Sequence, residues 1–248
     1  MRTVIIIPAR YKSTRFPGKP LTKILDKPLI IWVLELCALA IDKNDIYVAT
    51  DDKRIKNEVE SAGYQSVMTS ENALTGTDRV AEAAQTIKAD IYVNVQGDEP
   101  LVNPADILKI RDEKINNPEC VIKGYTELLP EEKPDNRNIP KVIFNENSNM
   151  LYMSRQAIPG TKDGELRVQN YYKAVCIYAF NRKDLISYQK FGRKSVLEEI
   201  EDIEILRFLD IGTTVKMVKT SASSIAVDVP NDVKLVEKIM LENLGNRY

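Results

Sequence analysis

Over its first half the chain alternates short β-branched apolar runs with segments whose apolar residues recur at helical spacing. That alternation predicts βαβ units, a mostly parallel sheet and right-handed crossovers. The first run, residues 3–7, contains the unbroken row Val4, Ile5, Ile6 and Ile7, the pattern of a strand buried on both faces. Pro8 is expected to end it. Further strands are expected at 45–50, 66–68 and 90–95, and helices at 28–40, 53–62 and 79–87. Thr77 or Asp78 is the expected cap of the last of these helices. In a sheet of this kind, ligands bind outside the carboxyl ends of the strands.

The second half reads as a helix from Pro104 to about residue 116, a strand at 120–126 and a charged, proline-containing loop at 130–140. Apolar segments at 141–144 and 150–153 flank Asn145-Glu146-Asn147-Ser148-Asn149, which predicts a β-hairpin. Strands are expected at 171–180 and 215–219, with helices at 182–189, 200–209 and 232–243. No repeat, low-complexity tract or linker interrupts the chain. It therefore reads as one α/β domain over residues 1–248, with a β-rich insertion at about 125–175.

With 248 residues the chain can bury a sizeable core. Its formal net charge of −1 provides no global field for nucleic acid or an anionic membrane, so any basic patch is local and suits a small anion. No apolar run approaches the roughly 18–20 residues that span a bilayer. The start of the chain reads as a strand, not a signal peptide. Cys37, Cys120 and Cys176, odd in number and scattered, argue against a disulfide framework or a zinc knuckle, and the cytoplasm is the expected location. The chain has no histidine, which excludes Ser-His triads, His-ligated metals and His general bases. The chemistry is left to carboxylates, Lys, Arg and a hard metal ion.

The loop after the first strand carries Arg10, Lys12, Arg15 and Lys19 and no carboxylate. Arg offers phosphate a bidentate fork and Lys a point charge. Arg10, Arg15 and Lys19 are therefore the phosphate candidates, a nucleotide triphosphate is the expected ligand, and Lys12 is expected to face solvent. The loop is neither a Walker motif nor a dinucleotide fingerprint. Asp98 ends the central strand between Gly97 and Pro100, and Asp228 follows Ile225-Ala226-Val227 in the same strand-end layout. Two such carboxylates can converge on one metal ion, or each can cap a turn. Asp232 reads as the cap of the final helix.

The blocks Ile7-Pro8-Ala9-Arg10, Ser13-Thr14-Arg15 and Phe16-Pro17-Gly18-Lys19-Pro20-Leu21 resemble the signature of sugar-acid cytidylyltransferases. The resemblance is to the 3-deoxy-manno-octulosonate cytidylyltransferase (CMP-Kdo synthetase) family, with CMP-sialate synthetases a looser match. It continues through Val48-Ala49-Thr50-Asp51-Asp52, Gly76-Thr77-Asp78-Arg79, Val93-Asn94-Val95-Gln96-Gly97-Asp98-Glu99-Pro100, Tyr152-Met153-Ser154-Arg155 and Val227-Asp228-Val229-Pro230, in family order over essentially the whole chain. The resemblance implies a three-layer, Rossmann-like fold of the nucleotide-diphospho-sugar transferase kind. It implies CMP transfer from CTP to a 2-keto-3-deoxy sugar acid, with Mg²⁺ as cofactor, for lipopolysaccharide or other cell-surface polysaccharide synthesis. In that reading Lys19, Arg10, Asp98 and Asp228 are catalytic, Asp98 and Asp228 holding the metal. Arg15, Thr75, Gly76, Thr77 and Arg79 lie on the nucleotide side, and Gln96, Lys141, Arg155, Tyr178 and Glu204 on the sugar side. A homodimer through the β-rich insertion is also implied.

Two blocks depart from the family. Its His-containing block is Lys173-Ala174-Val175-Cys176-Ile177-Tyr178 here, with Ala174 in the His place, and its Glu-Gln-Leu-Arg is Glu204-Ile205-Leu206-Arg207. Methyl groups in place of donors predict an acceptor with a modified or missing distal hydroxyl, such as a deoxy, amino or acylamino group. The competing expectation is that Tyr172 or Lys173 has taken over the contacts. The rival functions are a CMP-nonulosonate synthetase and a catalytically silent nucleotide-binding subunit. Intact Lys19, Asp98 and Asp228 speak against the second.

Overall fold

A computed structural model describes the chain except residues 14, 131, 161, 163–170, 222–224 and 246–248. Strand β1 (Thr3–Ala9) leads through the basic loop to a 3-10 turn (Lys19–Leu21), a small ribbon of β2 (Lys23–Ile24) and β3 (Lys27–Pro28), and helix α1 (Leu29–Ala38). Then come β4 (Ile46–Thr50), α2 (Lys53–Ser61), β5 (Gln65–Met68), α3 (Gly76–Thr86), β6 (Ile91–Val95), α4 (Pro104–Asn116) and β7 (Val121–Glu127). The remainder is β8 (Lys141–Phe144), β9 (Met150–Ser154), β10 (Tyr172–Phe180), α5 (Arg182–Lys190), α6 (Val196–Glu201), α7 (Leu206–Ile211), β11 (Val215–Lys219) and α8 (Pro230–Gly245).

The main sheet has the order β11-β7-β10-β6-β1-β4-β5, with the β8–β9 hairpin attached to β10. β10 alone in that order runs antiparallel to its neighbours. Its first residues therefore lie at the same edge as the carboxyl ends of β1, β4 and β6. α1, α2 and α4 cover one face through Ile30, Val33, Leu34, Ile55, Val59, Ile107 and Ile110. α3, α5 and α7 cover the other through Val80, Ala84, Leu185, Tyr188, Leu206 and Phe208. Val4 to Ile7 are fully buried between the two layers, so truncating one of them, for example Ile6→Ala, should cost about 2–5 kcal/mol. α8 packs on the small ribbon, where Val236 and Met240 meet Ile24, Leu29 and Val227.

Four expectations need correction. β1 continues through Pro8 to Ala9, because pairing with β6 stops at Ile6 and Pro8 is flanked by β4 alone, a setting proline tolerates. The expected helix at 200–209 is two helices, broken at Asp202 in the left-handed region with φ 50°. Thr75, not Thr77 or Asp78, caps α3 by accepting from the Asp78 N–H. Ile225 to Val227 form no strand; instead the Val227 N–H donates to the Asp98 carbonyl at 2.9 Å. Of the β-rich insertion, the hairpin and the start of β10 are as expected, while 163–170 lies outside the described residues.

Candidate active site

The carboxyl ends of β1, β4 and β6 open onto one cleft. From β1 the chain enters the basic loop, which folds back so that the Gly18 N–H donates to the Tyr11 carbonyl at 2.9 Å. Gly18 sits at φ 72°, and a Cβ there would press on the Tyr11 ring at 3.1 Å, so the turn demands glycine. Lys19 leaves this turn pointing across the cleft. Its Nζ lies 2.6 Å from Asp98 Oδ2, 2.8 Å from the Val227 carbonyl and 3.9 Å from Asp228 Oδ1. Arg15 Nη2 donates to the same Asp228 Oδ1 at 3.1 Å. The backbone bond from Val227 to Asp98 is what brings the two acidic segments together. Asp232 accepts from the N–H groups of Asp228 and Val229, which fixes the start of α8.

Arg10 is exposed, and no hydrogen bond or ion pair engages it among the described residues. Lys12 pairs with Glu71 at 2.8 Å at the surface, with both side chains mostly in solvent. One ammonium stands between two carboxylates, and the Arg15 guanidinium holds the outer one from the solvent side. The Arg15–Asp228 pair, largely in solvent, contributes about 0–1 kcal/mol and can be exchanged for ligand contacts at little cost, whereas Lys19 and Asp98 are mostly shielded from water.

The start of α3 forms the neighbouring wall. Gly76 is there because a Cβ would meet the Gln96 side chain at 3.1 Å, so the helix closes directly on the end of β6. The Thr77 N–H donates to Glu204 Oε2 at 2.9 Å, and Gln96 Nε2 donates to Glu204 Oε1 at 3.1 Å. Burial pushes the Glu204 carboxyl up from the ordinary range, opposed by the Thr77 N–H and by the charge of Lys123. Thr77 Oγ1 itself is buried and meets no hydrogen-bond partner among the described residues.

Three residues expected to meet substrate are engaged by the protein's own groups. Arg79 is 3% exposed; it donates to Asp51, Thr69 and the Ser70 carbonyl, so it is no free cation. Lys141 is fully buried and donates to the carbonyls of Asn136, Ile139 and Arg155 at 2.6–2.8 Å, which uses all its hydrogens. Arg155 donates to the carbonyls of Arg137, Glu201 and Asp202, and its N–H bonds to the Glu201 carboxylate. Lys141 braces the hairpin against the 136–139 loop, and Arg155 ties the hairpin to the end of α6. Tyr178 is buried in the sheet's core face, stacked on Phe180 with centroids 6.0 Å apart and with Lys123 Nζ 3.7 Å from its ring.

Sequence reasoning passed over the brace behind this wall. Arg207, fully buried, grips Asp78 at 2.7 and 3.1 Å and Glu198 at 2.7 and 2.6 Å, and lies 3.8 Å from the Tyr188 ring. It ties the starts of α3 and α7 together, which fixes Thr77 against Glu204. The signal was the arginine of Glu204-Ile205-Leu206-Arg207, one turn from the acid. Lys123, a charged residue in an otherwise apolar strand, was a second missed signal.

A family model for cytidylyltransferases matches residues 4–220. An 8-amino-3,8-dideoxy-manno-octulosonate cytidylyltransferase of Shewanella pealeana is 40% identical over 247 residues, covering 96% of this chain and 98% of the relative. A 3-deoxy-manno-octulosonate cytidylyltransferase of Escherichia coli is 33% identical, covering 98% of both. A CMP:2-keto-3-deoxy-manno-octonic acid synthetase solved with CTP superimposes with a TM-score of 0.90 at 33% identity, over 98% of this chain and 100% of that one. Similarity at this level over nearly the full length, on a fold whose acids and cations meet at the strand ends, makes the chain a member of the cytidylyltransferase family.

Proposed function

We propose that the protein transfers CMP from CTP to a 2-keto-3-deoxy octulosonate whose distal carbon carries an amino group in place of a hydroxyl. An oxygen of the acceptor bonds to the α-phosphorus as the bond to the β-phosphate breaks, and pyrophosphate leaves. The observation that carries the reaction is the meeting of Asp98 and Asp228, from distant parts of the chain, on the single ammonium of Lys19. Phosphoryl-type transfer is mostly positioning and charge neutralisation. Arg10, Arg15 and Lys19 supply cations to the triphosphate.

A pair of hard oxygen donors already facing a cation suits Mg²⁺, which takes one or two protein carboxylates and completes its shell from substrate and water. Among the described residues no cluster of three or more His, Cys, Asp or Glu forms a self-sufficient metal cage, which agrees with a site shared with phosphates. Asp98 and Asp228 would hold the ion, which supplies Lewis-acid stabilisation of phosphate charge. With the carboxylates so engaged, Lys19 and Arg15 would be left to hold phosphate oxygens. Thr75 and Gly76 border the nucleotide, while Thr77 and Arg79 act through the wall they hold.

The amino-sugar assignment rests on Ala174 and Ile205, which offer no donor, and on the name of the Shewanella relative. Gln96, Glu204 and Tyr178 face the acceptor; Lys141 and Arg155 position the elements around it. The free thiols Cys37, Cys120 and Cys176 suit a reducing cytoplasm, and among the described residues no helix is long and apolar enough to cross a membrane. Exposed Leu151, Val196 and Ile200 give the hairpin and α6 an apolar face suited to a homodimer contact. The test is pyrophosphate release from CTP and Mg²⁺ with a panel of octulosonates and nonulosonates. Release with nonulosonates alone would replace this reading.

A further inference from the structure

On the sheet face beneath Ala174, Asn94 of β6, Tyr178 of β10 and Lys123 of β7 pair in register. Directly opposed residues have Cβ atoms about 5 Å apart and share a face, so the three form one polar row. The ends of that row are under-satisfied. Among the described residues neither amide atom of Asn94 has a partner, and Lys123, 1% exposed, makes one long hydrogen bond of 3.5 Å to the Val175 carbonyl. No described carboxylate lies within ion-pair distance of its Nζ, whereas an ammonium has three hydrogens to place.

The other two large buried lysines make the contrast plain. Lys114 donates to the Pro118 and Cys120 carbonyls and to Asp184, and Lys141 donates to three carbonyls. Beyond that long bond and the Tyr178 ring 3.7 Å away, Lys123 finds no partner among the described residues, on the same side of the sheet as Ala174 and Cys176. The other candidates for this role are engaged elsewhere. Lys173 points to the opposite face and pairs with Glu132, and Tyr172 packs among Tyr125 and Phe144.

We propose that Lys123 is a binding residue of the sugar pocket, donating to an oxygen of the acceptor in place of the polar side chains absent at Ala174 and Ile205. This rests on the proposed function. The partner is an oxygen and not the acceptor's amino group, because two ammonium ions repel and neither can accept. Lys123 thereby sets specificity by holding a carboxylate or hydroxyl of the sugar acid.

The test is pyrophosphate release by wild type, Lys123→Met and Lys123→Gln with CTP and the 8-amino octulosonate. The Met variant keeps side-chain length and removes the donors, so the acceptor KM should rise about 10- to 100-fold. The CTP KM should stay within about twofold, and Gln, which retains an N–H, should recover part of the loss. A series of acceptors each lacking one oxygen identifies the partner, because the Met penalty vanishes for the compound without it. The acceptor should also raise the melting temperature of the wild type more than that of the variant. If Lys123→Met does not fold, the Gln variant carries the same comparison. An unchanged acceptor KM, or equal changes for acceptor and CTP, would overturn the inference alone. No pyrophosphate from wild type with any octulosonate would overturn the functional reading first and this inference with it.

Discussion

The proposed nucleotide side and the proposed sugar side of the cleft are built on different principles. At the nucleotide side, Lys19, Arg15, Asp98 and Asp228 neutralise one another in ion pairs that run from a largely shielded Lys19–Asp98 to an exposed Arg15–Asp228, and Arg10 stands in solvent. At the sugar side, Glu204 is clasped by Thr77 and Gln96, Arg207 is locked behind it, and Ala174 and Ile205 belong to the apolar cluster around them. The first region is a set of exchangeable charges that any triphosphate can claim. The second is a shaped, low-dielectric surface in which each polar atom discriminates. Chemistry common to a family can therefore stay on one side while substrate choice is altered on the other.

The largest effect should come from breaking the exchangeable side. Asp98→Ala or Asp228→Ala should lose several kcal/mol of transition-state charge stabilisation while the protein stays folded. Turnover within about threefold of wild type would remove that carboxylate from the metal role. Lys19→Met should be next, slowing turnover on the order of 10²–10³-fold, as for loss of one oxyanion donor. Arg at this position should rescue only in part, since a fork does not replace a point charge.

On the sugar side, Ala174→His with Ile205→Gln should improve kcat/KM for a plain octulosonate over the amino acceptor by about 10- to 100-fold. An unchanged ratio would mean that these positions do not read the distal carbon. Lys141→Met should change stability and not substrate affinity. Stranding its three carbonyls should cost about 1–3 kcal/mol in denaturant unfolding, with both KM values unmoved.

The smallest effect concerns pH. Because burial raises the Glu204 carboxyl, the native state holds its proton where the unfolded chain has released it. Stability therefore falls as pH rises from the ordinary carboxylate range through the raised native value. Glu204→Gln should flatten that part of the unfolding curve, gaining on wild type as pH rises. Parallel curves would contradict it.

The regions also differed in how much could be read without coordinates. The basic loop and Asp98 were legible because strand-end position and charge follow from a local pattern: an apolar row, then glycine, then the charged group. Asp228 was legible as a residue but not as a strand end, since its segment is held by one backbone bond to Asp98. Lys141 and Arg155 looked like substrate cations, because sequence gives a charge but not the carbonyls that surround it. The break at Asp202 escaped helical periodicity because αL geometry at a non-glycine residue is set by packing, with Arg155 donating to its carbonyl. Lys123 escaped for the same reason: its unfilled hydrogen-bonding capacity exists only after β7 and β10 have paired.

The most direct measurement is kcat/KM of the unmodified protein for the 8-amino and the plain octulosonate, read as pyrophosphate released from CTP. An intact nucleotide side facing an altered sugar side predicts turnover with both and a preference for the amino acceptor of at least about tenfold. Equal efficiency, or a preference for the plain octulosonate, would contradict it.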